Sequence, residues 1–257
     1  MTIVNWFDAG AVFAAGIAAG GINTVVGSGS LITFPTMVAL GFPPVTANVS
    51  NNIGLVPGSV TGAYGYRDKL TGQRGRLLRL GSASVLGAAL GSLLLLELPA
   101  SAFDVIVPAL IVLALVLVIV QPRLAAYLKD RPKRREHGGP GLWSGVFGAG
   151  VYGGYFGAAQ GIVLIGLLGT GLNEDLQRVN AAKNVLSALV NGTAAVVFIG
   201  SWATGRTDID WLAVLLIAAG STLGGLLGAK VGQRIPSNVL RAVIVVVGLV
   251  ALYRFLF

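Results

Sequence analysis

The chain has 257 residues, a formal net charge of +8, one histidine and no cysteine, and only 11% of its residues are charged while 54% are hydrophobic. With a mean hydropathy of +0.81, this composition excludes a water-soluble fold, which would expose large apolar patches. The lack of cysteine excludes disulfides, thiolate metal sites and cysteine catalysis.

Apolar runs near the ~20 residues that span a bilayer as a helix predict an all-α integral membrane protein. Strand alternation is absent, which argues against an outer-membrane barrel. In chain order the first run is 7–26. It follows an acidic start, Thr2 to Asp8, that lacks Lys and Arg. No cleavable leader is read there, and the N-terminus is expected outside the cytoplasm.

Gly27, Ser28, Gly29 and Ser30 come next, ahead of a short apolar piece, 30–41. Each Gly weakens a helix by about 1 kcal/mol relative to Ala, so the helix is expected to open here. The N–H groups of the following short helix would then form an anion site. A plain loop at the membrane surface is the competing reading. The run 46–66 opens with Asn48, Ser50, Asn51 and Asn52. Asn48 and Asn52 share a helix face, and their amides suit either an oxyanion or helix capping and interhelical bonds. Gly54, Gly58 and Gly62 surround Pro57, an expected kink.

Arg67, Lys69, Arg74, Arg76 and Arg79 crowd the following loop, before runs 76–96 and 102–121. The stretch 122–141 is a basic linker, with Arg123, Lys129, Arg131, Lys133, Arg134 and Arg135. Two spans separate these clusters, so both fall on one side, the cytoplasm by the positive-inside rule. That rule accounts for the net charge without nucleic acid. Arg178, Lys230 and Arg234 fall on the same side, Arg206 and Arg254 on the other.

The remaining runs are 142–158, a short piece at 161–172, then 179–200, 210–231 and 238–257. The second break reads Ala158, Ala159, Gln160, Gly161, and Asn180, Lys183 and Asn184 open the run after it. Lys183 is an ionisable group inside a span, a functional candidate by default, with snorkelling to the surface as the alternative. No acidic residue lies deep in a span, since Glu97 and Asp104 flank one turn and Glu174 and Asp175 another. That favours an anionic substrate over a cation or sugar symporter.

The two halves repeat. Gly29 falls on Gly161, Asn48 and Asn52 on Asn180 and Asn184, and Thr61 on Thr193, each 132 positions on. Leu86, Gly87, Leu90, Gly91, Pro99 and Phe103 meet Leu223, Gly224, Leu227, Gly228, Pro236 and Leu240 at an offset of 137. Five runs per half put the second half in the opposite sense. The expected architecture is a polytopic helical bundle of two inverted repeats, 1–121 and 142–257, with broken or re-entrant helices and both termini on the outer side. Gly220, Gly224, Gly228 and Gly232 make one small-residue face. Such a face serves either packing within the bundle or a homodimer seam.

Two motifs fail their context. Gly148, Gly150 and Gly153 match G-x-G-x-x-G inside a membrane run with no preceding strand, so no dinucleotide cofactor is read. His137 sits in the linker without a second His or any Cys to complete a metal site. No enzymatic motif is present.

The stretch from Gly20 through Gly27, Ser28, Gly29 and Ser30 to Pro35, followed by Leu40 to Ala47, resembles the sulfite exporter TauE/SafE family of bacterial permeases. The resemblance covers essentially the whole chain. It implies an inner-membrane permease for sulfite, organosulfonates or related small anions, with export favoured. Where the family has a glycine run this chain reads Gly-Ser-Gly-Ser, and Ser50-Asn51 replace a common Thr-Ser. The expected substrate site combines Gly27, Ser28, Gly29, Ser30, Asn48, Asn51 and Asn52 with Gln160, Gly161, Asn180, Lys183 and Asn184. An anion channel, a membrane scaffold, and an importer of an organosulfonate or carboxylate are the competing functions.

Overall fold

A computed structural model describes residues 5–129 and 139–231 and positions 242, 245, 246, 249, 250, 252 and 253. The heart of the basic linker, 130–138 with His137, lies outside the described residues. So do Gly232, Arg234, Pro236, Leu240 and Arg254, and much of the last predicted run.

The described chain is helical: α1 (Trp6–Val25), α2 (Ser30–Ala39), α3 (Pro44–Gly65), α4 (Arg74–Glu97), α5 (Ala100–Lys129), α6 (Pro140–Tyr155), α7 (Gln160–Gly171), α8 (Leu176–Ala203) and α9 (Trp211–Val231), with a 3₁₀ turn at Arg67–Leu70. Among the described residues, α1, α4, α8 and α9 are long and apolar enough to cross a membrane. Helix α5 continues to Lys129, so it takes in the first two fifths of the predicted linker. Residues 124–128 (Leu, Ala, Ala, Tyr, Leu) are acceptable helix formers, and they carry the helix past the polar Gln121–Arg123 step. Helix α6 has 16 residues, about 24 Å at 1.5 Å per residue. It stops short of a ~30 Å hydrocarbon core, which leaves its end at membrane depth.

Leu86, Leu90, Leu93, Val112, Val116, Val196 and Leu215 face outward. Trp6, Trp202 and Trp211 gather at one end of the bundle, where Trp202 and Trp211 meet edge to face at 5.1 Å. An outward apolar belt bounded by aromatics suits a lipid surrounding.

Helix directions follow from the close approaches. Gly16 and Gly20 of α1 meet Ile217 and Ser221 of α9, and Gly54, Gly58 and Gly65 of α3 meet Ile217, Ser221 and Ala229. Helices α1, α3 and α9 are therefore parallel. Gly150 and Gly154 of α6 meet Ser84 and Ala88 of α4, so α4 and α6 are parallel too. A short turn reverses the chain between α3 and α4, so this pair runs against the first three. Since α3 starts where α1 starts, α2 must return toward that end. In the second half α7 returns in the same way to the start of α8. The short segments are thus the second arms of doubled-back pairs and not full crossings. The most extensive packing joins α1 and α3 to α9 and α6 to α4, and α8 packs next against α3 and α4. Each grouping mixes helices from both halves. Gly87, Gly91, Gly220, Gly224 and Gly228 are filled by these contacts. These glycines thus serve packing within the bundle.

Candidate functional site

Both predicted breaks are present, and they close in the same way. At the end of α1 the N–H groups of Val26 and Gly27 both donate to the Ile22 carbonyl, at 2.7 and 3.0 Å. At the end of α6 those of Phe156 and Gly157 both donate to Tyr152, at 2.9 and 3.1 Å. Gly27 has φ +89° and Gly157 φ +78°, the left-handed region that glycine enters freely. The structural counterpart of Gly27 is therefore Gly157, and that of Ser30 is Gln160. The 132-residue register, which set Gly29 against Gly161, is two residues off at this point. The cause is length: α2 has 10 residues and α7 has 12. Past α7 the register returns to 132. Gly157 is thus a break residue that the sequence reading missed. Ala159 also has a positive φ, +58°, which costs a non-glycine residue about 1–2 kcal/mol.

The breaks lie in the interior, against each other. Gly161 N–H donates to the Gly27 carbonyl at 3.0 Å. A Cβ on Gly27 would lie 2.5 Å from Gly161 Cα, and a Cβ on Gly161 2.4 Å from Gly27 Cα. Only glycine allows this approach, and a loop at the membrane surface is excluded. The expected row of free N–H groups at the start of α2 and α7 is corrected in part. Leu31 and Ile32 donate to Ser28 and Gly29, and Gln160 and Ile162 donate to Gly157 and Ala159. Those donors are spent within the turns.

The amides do not cap helices α3 and α8. Helix α3 starts at Pro44 without a side-chain cap, and Asp175 caps α8. Instead each amide group grips the broken helix of the other half. Asn48 Nδ2 donates to the Tyr155 carbonyl at 2.9 Å, the last residue of α6. Asn180 Nδ2 and Asn184 Nδ2 donate to the Thr24 carbonyl near the end of α1, at 3.2 and 3.3 Å. A helix end leaves carbonyls without partners, and these side chains supply them. The two stripes were expected to face one another; among the described residues no hydrogen bond joins them directly. Asn51 Oδ1 accepts from Thr33.

Lys183 is fully buried and does not snorkel. Its Nζ donates to the carbonyls of Asn23 at 2.8 Å and Thr24 at 3.3 Å. Its stem passes Gly161, where a Cβ would come within 3.0 Å of Lys183 Cδ. Among the described residues no carboxylate pairs with it.

Around the breaks several polar atoms are buried without a protein partner: Ser28 Oγ, Gln160 Nε2, Asn48 Oδ1, Asn52 Oδ1 and Asn180 Oδ1. The exposure of their residues runs from 1% to 7%. Each such atom costs about 1–3 kcal/mol if left bare. Gln160 is set by Gly153, where a Cβ would collide with its amide. Gly29 is pressed against α1, where a Cβ would meet the Ala19 carbonyl at 2.4 Å. Ser30, the first residue of α2, is half-buried.

The two ends of the bundle differ. At the end carrying Trp202 and Trp211 a cleft of about 260 Å³ is lined by Thr46, Leu95, Pro99, Tyr155, Arg206 and Asp208, among others. It reaches Tyr155, the residue that Asn48 holds. An exposed pair, Arg206 with Glu97 at 2.9 Å, stands beside it. At the opposite end Glu174 pairs with Arg76 at 2.9 Å and with Arg178 at 2.5 Å. Gln73 Nε2 donates to the Arg178 carbonyl at 3.3 Å. Burial alone would push the Glu174 carboxyl up, but the hydrogen bonds from Arg178 and Arg76 outweigh it and hold it below the usual carboxylate range.

The chain matches the sulfite exporter TauE/SafE family over residues 12–255. It is 28% identical to the probable membrane transporter protein YfcA of Escherichia coli K12, over 96% of this chain and 89% of that one. It is 26% identical to a probable membrane transporter protein of Haemophilus influenzae, over 91% and 89%. The probable membrane transporter protein ORF9 of a Sinorhizobium species is 25% identical over 95% and 91%. No solved structure matches.

Proposed function

The chain belongs to the sulfite exporter TauE/SafE family of membrane transporters, not to an enzyme family, and from that premise we propose that it is a secondary permease for a small anion, a sulfur oxyanion or organosulfonate. The observation that carries this reading is Lys183: a fully buried lysine beside the two helix breaks, with no carboxylate partner among the described residues. Burying an unpaired charge is expensive, and an anionic guest offsets part of that cost. Ser28 Oγ and Gln160 Nε2 are unpartnered donors at the two breaks and suit a tetrahedral or pyramidal oxyanion. Asn52 lines the same space, while Asn48, Asn180 and Asn184 hold the helix ends that shape it. Gly27 and Gly161 allow the two breaks to meet.

The halves 1–121 and 142–257 act as inverted repeats around this site, exposing it to either side in turn. A cleft at one end and an ion-paired closure at the other suit a carrier better than a channel, which needs a continuous water path. The basic end is cytoplasmic, with the linker on that side and both termini outside an inner membrane. An inside-negative potential then favours anion efflux by roughly 2.3 kcal/mol per charge per 100 mV, so the permease exports.

Proteoliposomes test the reading. Flux of sulfite, thiosulfate or a taurine-like sulfonate should saturate in the intact protein. It should fall at least tenfold in Lys183→Ala and Gln160→Ala proteins that still elute as a single folded species. Intact flux in both variants would remove the site assignment, and conductance without saturation would favour the channel.

A further inference from the structure

We propose that the Lys183 ammonium is a tethered cation that occupies a cation position at the broken end of α1, so that transport needs no alkali cation. In transporters built from broken helices, the C-terminal carbonyls of a half-helix are where a free monovalent ion is coordinated, because the helix dipole is negative there. The end of α1 is such a place. The carbonyls of Asn23 and Thr24 face Lys183 Nζ at 2.8 and 3.3 Å. Asn180 donates its amide N–H to the Thr24 oxygen at 3.2 Å and so helps to fix that carbonyl. Two backbone carbonyls at a helix C-terminus are hard neutral ligands, which suit a monovalent cation.

The other half shows that this cation is an addition. Its residue at the Lys183 position is Asn51, which is neutral and accepts a hydrogen bond from Thr33. There the end of α6 is held by an amide, Asn48 on Tyr155. One break is closed by neutral donors alone, the other by amides and a fixed positive charge. A charge carried on the chain cannot be lost with a gradient, so it holds α1 whatever the surrounding sodium or potassium. This inference takes the site of the proposed permease as its setting, but the melting test below stands apart from substrate identity.

Thermal unfolding of the purified full chain is measured in sodium, potassium, methylammonium and choline chlorides at one ionic strength. Lys183→Ala should melt about 3 °C or more below the parent in choline, and should recover at least half of that in methylammonium or sodium, saturably. Lys183→Met, whose side chain fills the same space, should not respond, and Asn180→Ala added to Lys183→Ala should abolish the response. The parent should melt alike in all four salts, and its anion flux should be unchanged when sodium is replaced by choline. Equal melting of Lys183→Ala in all four salts overturns the proposal. Should that variant fail to fold, sodium-dependent flux in the parent overturns it independently. Absence of flux for every anion tried would sink the permease reading and leave the melting series to decide this one.

Discussion

Ser59 and Asn191 touch: Asn191 Nδ2 donates to Ser59 Oγ at 2.9 Å. They are 132 residues apart, the offset that relates the two amide clusters, so each is the other's counterpart. Two positions exchanged by a two-fold rotation meet only on its axis. The axis of the bundle therefore runs through the crossing of α3 and α8, and Asn23 Nδ2 joins the same Ser59 oxygen at 3.3 Å. A double-mutant cycle of Ser59→Ala and Asn191→Ala should give a coupling of about 0.5–1.5 kcal/mol, the range for hydrogen bonds between membrane helices. Reversible unfolding in mixed micelles measures it. Additive losses would mean that the contact contributes nothing.

Gly27→Ala should be far more damaging than a substitution at a roomy glycine. The new methyl would lie 2.5 Å from Gly161 Cα, and φ is +89°. The overlap is with backbone, so relief requires parting the two breaks, at a cost of several kcal/mol. At Gly200, within α8, nothing lies within 4 Å of the new atom. Gly200→Ala should be neutral or stabilising by up to about 1 kcal/mol. Melting curves of the two purified variants decide.

Asn184→Ala alone should be mild, near 0.5 kcal/mol. The Thr24 oxygen it serves still receives Asn180 and Lys183. Removing Asn180 and Asn184 together should cost more than the sum of the single losses, because the carbonyl end of α1 then depends on Lys183 alone. Unfolding measurements on the three variants test for that excess.

Glu174→Gln should loosen the closed end. The two arginine contacts of Glu174 are charge-assisted bonds, worth about 1.5–3 kcal/mol each in favourable settings. The carboxyl lies below its ordinary value in the folded protein. Its contribution is therefore complete above the unfolded value, about pH 4.3, and drains away as pH falls through the folded value. The chain has no native cysteine, so a cysteine introduced at Gln73 reports access directly. Its labelling by a thiol reagent added at the basic end should rise severalfold in the Glu174→Gln background. Unchanged labelling would show that this cluster does not close the passage.

The elements were legible because a bilayer demands length. The described helices begin and end within a few residues of the apolar runs, except α5, which outlasts its predicted run by eight residues. Lys183 and the breaks were legible too, because charge and paired glycines are conspicuous in apolar surroundings. Partners were not. Asn48 and Asn180 read as donors to a substrate, yet their N–H groups hold the carbonyl ends of α6 and α1. Which carbonyls are orphaned depends on where the opposite half places its break. The shift of Gly27's counterpart from Ala159 to Gly157 was hidden for a similar reason, since two extra residues in α7 move the turn without changing the pattern of apolar letters. Ser59 and Asn191 could have been found, as they lie at the same offset as the pairs that were noticed.

The partnership of α1 with α9 bears on how the protein is made. Helix α1 leaves the ribosome well before its partner, and the groove that receives it is translated about two hundred residues later. Until then its stripe of small residues has no mate and must wait beside lipid or the insertion machinery. A chain truncated before α9 would leave Gly16 and Gly20 of α1 without the Ile217 and Ser221 contacts that fill them.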